Sequence, residues 1–191
     1  MDRDKEFGAI ITRLIAGRSL GYDEAREAFE VVLADETTEL QQGAFLAALR
    51  AKGETADEMA GAWHAIYHLD TIRAEGLEGL SLVDNSGTGM DSLKTFNIST
   101  AASIVAAASG ARLARHGARA LSSMRGTVDM AEALGVDVEA PVPLVSDSVR
   151  RCGLGLYNGT SPTVHPAALG RLLSRMHFGS TLNVSASLAN P

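Results

Sequence analysis

The pattern of apolar residues changes near residues 72–80, "IRAEGLEGL", and no other feature constrains the fold as much. Before this point apolar residues recur at helical spacing; after it, short strand-like runs alternate with helical ones. "FGAIITRLIAGR" places Phe7, Ile10, Ile11, Leu14 and Ile15 on one face, with Gly17 near the stop. "DEAREAFEVVLADE" repeats the pattern through Ala25, Ala28, Phe29, Val32 and Leu33. Thr38 with Gln41, and Thr55 with Glu58, have the spacing of capping boxes that open two further helices, and Gly53 suits a helix end. Residues 1–72 therefore read as a bundle of four short helices.

From Leu80 onward the chain reads "LSLVD" (strand), "TAASIVAAASG" (helix), "ARLARHG" (strand), "VDMAEALG" (helix) and "VDVE" (strand). It continues as "PLVSDSVRRCG" (helix), "LGLYNG" (strand) and "HPAALGRLLSRMH" (helix, with Pro166 in its first turn). The alanine-rich helix is too apolar all round to lie exposed. Such alternation predicts a mainly parallel sheet covered by helices. The fold class is thus α/β: a helical N-terminal domain, 1–72, followed by an α/β domain, 80–191. That second domain reads as incomplete, because "STLNVSASLANP" offers no closing helix or strand.

Charge divides along the same line. Residues 1–80 hold 16 acidic and 8 basic side chains, and residues 81–191 hold 7 and 9. A net charge of −6 argues against a nucleic-acid partner, while the second region tolerates an anionic ligand. Arg112, Arg115, Arg119 and Arg125 cluster there. No apolar run is long enough to span a bilayer, so no membrane role is expected. The lone Cys152 reads as a buried spectator in a reducing cytoplasm. His64 and His68 share a helical face beside Trp63, but no third metal ligand accompanies them, and they read as a packing or interface surface.

The stretch with most chemical content is "GTGMDSLKTFNIST", residues 87–100, set between a strand and a helix. Gly87 and Gly89 let backbone approach a ligand, and free N–H groups of the following helix favour an anion. Ser99 and Thr100 add hydroxyls. Asp91 would repel phosphate, unless it meets a sugar hydroxyl or a cation. The combination suggests a phosphorylated sugar with a divalent metal, since magnesium takes few protein oxygens and completes its shell with phosphates. The motif lacks the Lys-Ser/Thr of a P-loop and is not GxGxxG.

"DNSGTGMDSLKTFNIST" and "RHGARALSSMRGTVDMAEALG" resemble the anthranilate phosphoribosyltransferase family and, more loosely, the pyrimidine nucleoside phosphorylases. The N-terminal "LADETTELQQGAFLAALRAKGETADEMAGAW" is similar to that family's dimerisation domain, so a homodimer through the helices is implied. The resemblance implies transfer of a phosphoribosyl group from 5-phosphoribosyl-1-pyrophosphate, with Mg²⁺, to an aromatic amine, anthranilate or a related acid. It gives pyrophosphate-binding roles to Gly87, Thr88, Gly89 and Asp91. It gives phosphate binding to Asn97, Ser99 and Thr100, with Ser99 the magnesium ligand. Arg115 stands at a phosphate-binding lysine, His116 and Gly117 on the acceptor side, Ser123 in the following substrate loop, and Arg175 near the acceptor carboxylate.

The sequence departs from that pattern at several points. Met90 replaces the loop's third glycine, Ala118 an asparagine of the acceptor side, Met124 and Arg125 a lysine and a serine, and Ala186 and Ser187 interrupt a Gly-Pro. The family also continues well beyond the position of Pro191, with an acidic pair that holds magnesium. The resemblance therefore implies an N-terminal portion or a short homologue. A partner subunit that binds the phosphorylated sugar and needs another chain's acidic residues is the alternative reading. "NIST" speaks against a nucleoside phosphorylase.

Overall fold

The computed structural model describes residues 3–87, 96–120 and 126–191. Thr88, Gly89, Met90, Asp91, Ser123, Met124 and Arg125 lie outside the described residues. The chain forms two compact units, Met1–Asp70 with Ala167–Ala189, and Thr71–Pro166 with Asn190–Pro191.

The first unit holds α1 (Arg3–Ile15), α2 (Tyr22–Leu33), α3 (Glu39–Lys52), α4 (Ala56–Leu69), α8 (Leu169–Arg175) and α9 (Thr181–Leu188). Thr55 with Glu58 closes a full capping box on α4, as the spacing predicts, whereas on α3 only the Thr38 half forms and the Gln41 side chain donates to the Asp4 carbonyl instead. Phe7 and Phe29 pack on Phe45 with ring centroids 5.2 and 5.1 Å apart. Around them close Leu14, Val32, Leu49 and Ile66, together with Leu169, Leu172 and Leu182. The α2–α4 contact needs Gly61, where an added Cβ would lie 2.7 Å from Arg26 N and 2.8 Å from Ala25 Cβ. Glu58 is fully buried and receives the N–H of Leu20, the N–H of Thr55 and the Lys52 ammonium, the last at 2.9 Å. Burial works against its charge, yet these three donors outweigh it and hold its carboxyl below the usual range.

Residues 167–189, assigned by the sequence to the second region, pack in this helical unit. The buried Asp70 carboxylate accepts the backbone N–H groups of Ala167, Ala168 and Leu169, which fixes the approach to α8. Consequently α8 begins at Leu169, and Pro166 lies in the preceding turn rather than in the helix. "STLNVSASLANP" does contain a helix, α9, whose start is fixed by Ser180 N donating to Asn183 Oδ1 at 2.8 Å and which is held by buried Leu182 and Ala186.

The second unit holds β1 (Leu82–Val83), α5 (Ile98–Ala108), β2 (Arg112–Gly117), α6 (Thr127–Ala133), α7 (Val142–Cys152) and β3 (Leu154–Asn158). The strands run parallel in the order β1-β2-β3, with Leu82 opposite Arg112 and His116 opposite Tyr157. α7 presses Val142, Val145 and Val149 onto Tyr157 and Ala114. It lies so close to β3 that a Cβ on Gly155 would come within 2.6 Å of Val149.

Three expectations for this unit fail. "VDVE" forms a turn, with Val138 buried and its carbonyl held by Asn158 Nδ2 at 3.2 Å, because four residues between two helices find no strand to pair with. Cys152, expected buried, is exposed at the end of α7. The alanine-rich α5 buries Thr100 and Ser103, while Ile98, Ile104 and Val105 are exposed. Polar partners decide its orientation: the two hydroxyls face Arg115 and Asn85, and hydrogen bonds draw that stripe inward.

Candidate functional site

In a parallel sheet the carboxyl ends of the strands and the helix N-termini that follow them gather at one edge, where ligands bind. Here that edge carries Asp84–Gly87 after β1, the first turn of α5, Arg115–Gly117 at the end of β2, and Asn158 and Gly159 after β3.

The first segment is tied to its neighbours by side chains. Asn85 Nδ2 donates to the Ser99 carbonyl at 3.0 Å, and Ser103 Oγ donates to Asn85 Oδ1 at 3.0 Å. Ser86 Oγ donates to the His116 carbonyl. Asp84 accepts from Ser86 N (2.9 Å), from His116 N (3.4 Å) and, on its other oxygen, from Asn190 Nδ2 (3.0 Å). Asp84 directly follows β1 and is exposed as a residue, yet desolvation of its carboxylate outweighs these donors and pushes its carboxyl up.

Arg115 is the central charge. Its side chain is 3% exposed, Nη1 donates to Thr100 Oγ1 at 3.1 Å, and Nε has no hydrogen-bond partner among the described residues. Burial lowers its pKa, with the Asp84 charge opposing that shift. The guanidinium remains protonated at any ordinary pH. It is a desolvated cation beside the first turn of α5, whose N-cap, Asn97, makes no side-chain cap bond. An anion at this place would gain from the buried charge and from the helix terminus together.

Of the cluster Arg112, Arg115, Arg119 and Arg125, Arg119 is spent on Glu132, near the end of α6, and Asp129, in its first turn, which raise its pKa against desolvation. Asp129 Oδ2 accepts from Ala120 N at 3.0 Å and Gly126 N at 2.7 Å, joining both flanks of residues 121–125.

Among the expected site residues, Gly87, Asn97, Ser99, Thr100, Arg115, His116 and Gly117 all lie in this unit and on this edge. Arg175 lies on α8 in the helical unit, ion-paired with Glu39. Thr88, Gly89, Asp91 and Ser123 fall outside the described residues. Sequence reasoning passed over Asp84, Asn85, Ser86, Asn158 and Asn190, whose partners are far away in the chain. Among the described residues no group of three or more His, Cys, Asp and Glu could hold a metal ion, and no helix is long and apolar enough to cross a membrane.

Residues 9–69 match the profile of a glycosyl transferase family's helical bundle domain, and residues 79–191 that of the same family's a/b domain. The chain belongs to this glycosyl transferase family. Within the family, it is 42% identical over 183 residues to the anthranilate phosphoribosyltransferase of Halorubrum lacusprofundi, covering 95% of this chain and 49% of that one. With the enzyme of the same name from Haloarcula marismortui the identity is 39%, covering 95% and 54%. The chain spans about half the length of the curated relatives it matches. The crystal structure of anthranilate phosphoribosyltransferase from Thermus thermophilus superposes with a TM-score of 0.81 at 32% identity, over 95% of this chain and 55% of that one. The Saccharomyces cerevisiae enzyme in complex with PRPP and Mg gives a TM-score of 0.81 at 23% identity, over 98% and 56%, a likeness of fold.

Proposed function

We propose that this protein transfers a phosphoribosyl group from 5-phosphoribosyl-1-pyrophosphate to an aromatic amine, anthranilate or a related aromatic acid, releasing pyrophosphate. The observation that carries this reading is Arg115, a buried cation at the N-terminus of α5 with an unused donor. The matched relatives carry the corresponding name.

In the proposed reaction the acceptor nitrogen forms a bond to the sugar's anomeric carbon as the bond to pyrophosphate breaks. Charge builds on the departing oxygens and on an oxocarbenium-like ribosyl centre. Arg115 and the α5 amides supply positive potential fixed in place before the reaction, which lowers the barrier without reorganisation. Gly87 ends the described part of the pyrophosphate loop that continues through Thr88, Gly89 and Asp91, and Ser123 belongs to the substrate loop beyond β2. His116 and Gly117 line the acceptor side, and alignment there supplies much of the remaining rate. Arg175 is the proposed partner of the acceptor carboxylate, for which it would leave its Glu39 ion pair.

The described residues fit a magnesium ion of the substrate-bridging kind. Ser99 is half-buried, its carbonyl is taken by Asn85 and Ser103, and its hydroxyl makes no hydrogen bond among the described residues. Ser99 would hold Mg²⁺ through that hydroxyl, phosphate oxygens completing the shell. Mg²⁺, when bound, neutralises charge on the pyrophosphate. A homodimer through the helical unit and a cytoplasmic location belong to the same proposal.

Millimolar 5-phosphoribosyl-1-pyrophosphate with Mg²⁺ should raise the unfolding temperature, a ligand at a hundred times its Kd adding about 2.7 kcal/mol. Anthranilate added to that mixture should yield a phosphoribosylated amine, detected by chromatography. An unchanged unfolding temperature would sink the proposal. A shift without product would favour the second reading, a sugar-binding subunit completed by another polypeptide.

A further inference from the structure

His116, on β2, and His165, in the segment after β3, form a buried pair within the second unit. Each is 3% exposed, their Nε2 atoms are 3.1 Å apart, and the rings meet edge to face at 61°. Neither ring arrives there by chance of rotamer. The His116 backbone is fixed on both sides, its N–H by Asp84 and its carbonyl by Ser86. The turn after β3 approaches the ring so closely that a Cβ on Gly159 would lie 2.5 Å from His116 Nε2. His165 Nδ1 faces Thr71 Oγ1 at 3.4 Å.

A nitrogen-to-nitrogen contact of this length holds one proton. One ring must donate from Nε2 while the other accepts at Nε2. Two protons in the gap would place two N–H groups head to head in a buried space, with no acceptor between them. In the neutral pair the donor ring therefore carries a bare Nδ1 and the acceptor ring carries Nδ1–H. The Thr71 hydroxyl, able to donate or accept, serves either arrangement on the His165 side. His116 cannot change the kind of nitrogen it presents at Nδ1 unless His165 changes with it.

We propose that His165 is a positioning residue that, by sharing one proton with His116, fixes the tautomer and ring orientation of His116. That the His116 ring so fixed shapes the acceptor side rests on the phosphoribosyl-transfer reading; the shared proton does not.

Nitrogen-15 spectra of the histidine rings in the intact protein test this directly. At neutral pH, two of the five histidines should show pure and opposite tautomers, one Nε2–H and one Nδ1–H; in His165→Gln one of these signals should vanish and the remaining one, from His116, should change. His165→Leu should return His116 to a tautomer mixture and raise KM for the aromatic acceptor about tenfold, the equivalent of one misplaced hydrogen bond. KM for 5-phosphoribosyl-1-pyrophosphate should not move, and His165→Gln, which keeps a polar group in the gap, should recover part of the loss. Wild-type spectra in which both rings average over two tautomers would overturn the inference, and this measurement needs no variant to fold. Identical His116 signals in the wild type and His165→Leu would overturn it as well. Opposite pure tautomers in a protein that transfers nothing would uphold the pair and count against the functional reading alone.

Discussion

Arg115 carries a full charge in a place that water barely reaches, and the described residues do little to compensate it. Thr100 accepts from it as a neutral hydroxyl, and Asp84 acts on it only across space. A side chain so placed costs stability in the free protein and returns it on anion binding. On the proposed reading, Arg115→Met should change the ligand-free unfolding free energy by less than about 1 kcal/mol, because a flexible apolar chain of similar length removes a desolvated charge. The same variant should weaken binding of 5-phosphoribosyl-1-pyrophosphate by about 2 kcal/mol, the worth of a charge-assisted hydrogen bond. Denaturant unfolding and calorimetric titration read the two effects separately. A variant that lost stability heavily while binding normally would make Arg115 a structural residue.

Among the elements, the segment from Asp70 to α8 shows how a single carboxylate can organise a distant piece of chain. Three consecutive N–H groups, of residues 167–169, converge on Asp70. Such groups at the approach to a helix have no intrahelical partner and must be satisfied from outside. Asp70→Ala should cost about 2 kcal/mol, measured by urea unfolding, since it strands buried donors. An Asp70→Asn variant, keeping one acceptor oxygen, should fall between the two. Helix existence was legible wherever a cap and a repeat agreed, as for α3 and α4. The same rules placed α8 too early and missed α9. Asp70, a hundred residues upstream, decides where α8 begins, and α9 is held by burial rather than by a strong amphipathic repeat. The site was legible in part for a related reason: "NIST" and "RHG" carry local chemistry, whereas Asn85 and Asn190 acquire partners only when strands align.

Stability of the whole molecule against acid should pass through Glu58. Its carboxyl titrates below the usual range in the folded state, so the stability it contributes is present above the ordinary glutamate value. That contribution is lost as pH falls through the lowered folded value. Glu58→Gln leaves Lys52 buried without its counter-charge and should cost about 3 kcal/mol at neutral pH. The difference between the variant and the wild type should shrink as the medium is acidified, and urea titrations across the acid range would check it. A difference that stayed constant with pH would mean that packing, not charge, is what Glu58 supplies.

The amino-acid sequence by itself determined the two textures of this chain. Periodicity and capping are local, and they suffice for four helices followed by alternating strands and helices. Local chemistry also marked residues 87–100 and Arg115 as the candidate anion-binding region. Tertiary structure decided what depends on partners far apart in the chain. It assigned residues 167–189 to the helical unit, turned the hydroxyl stripe of α5 inward and its apolar face outward, and brought His165 to His116. Each of these outcomes is set by hydrogen-bonding groups that lose water on burial and must find a partner, and no pattern within one segment records where that partner is.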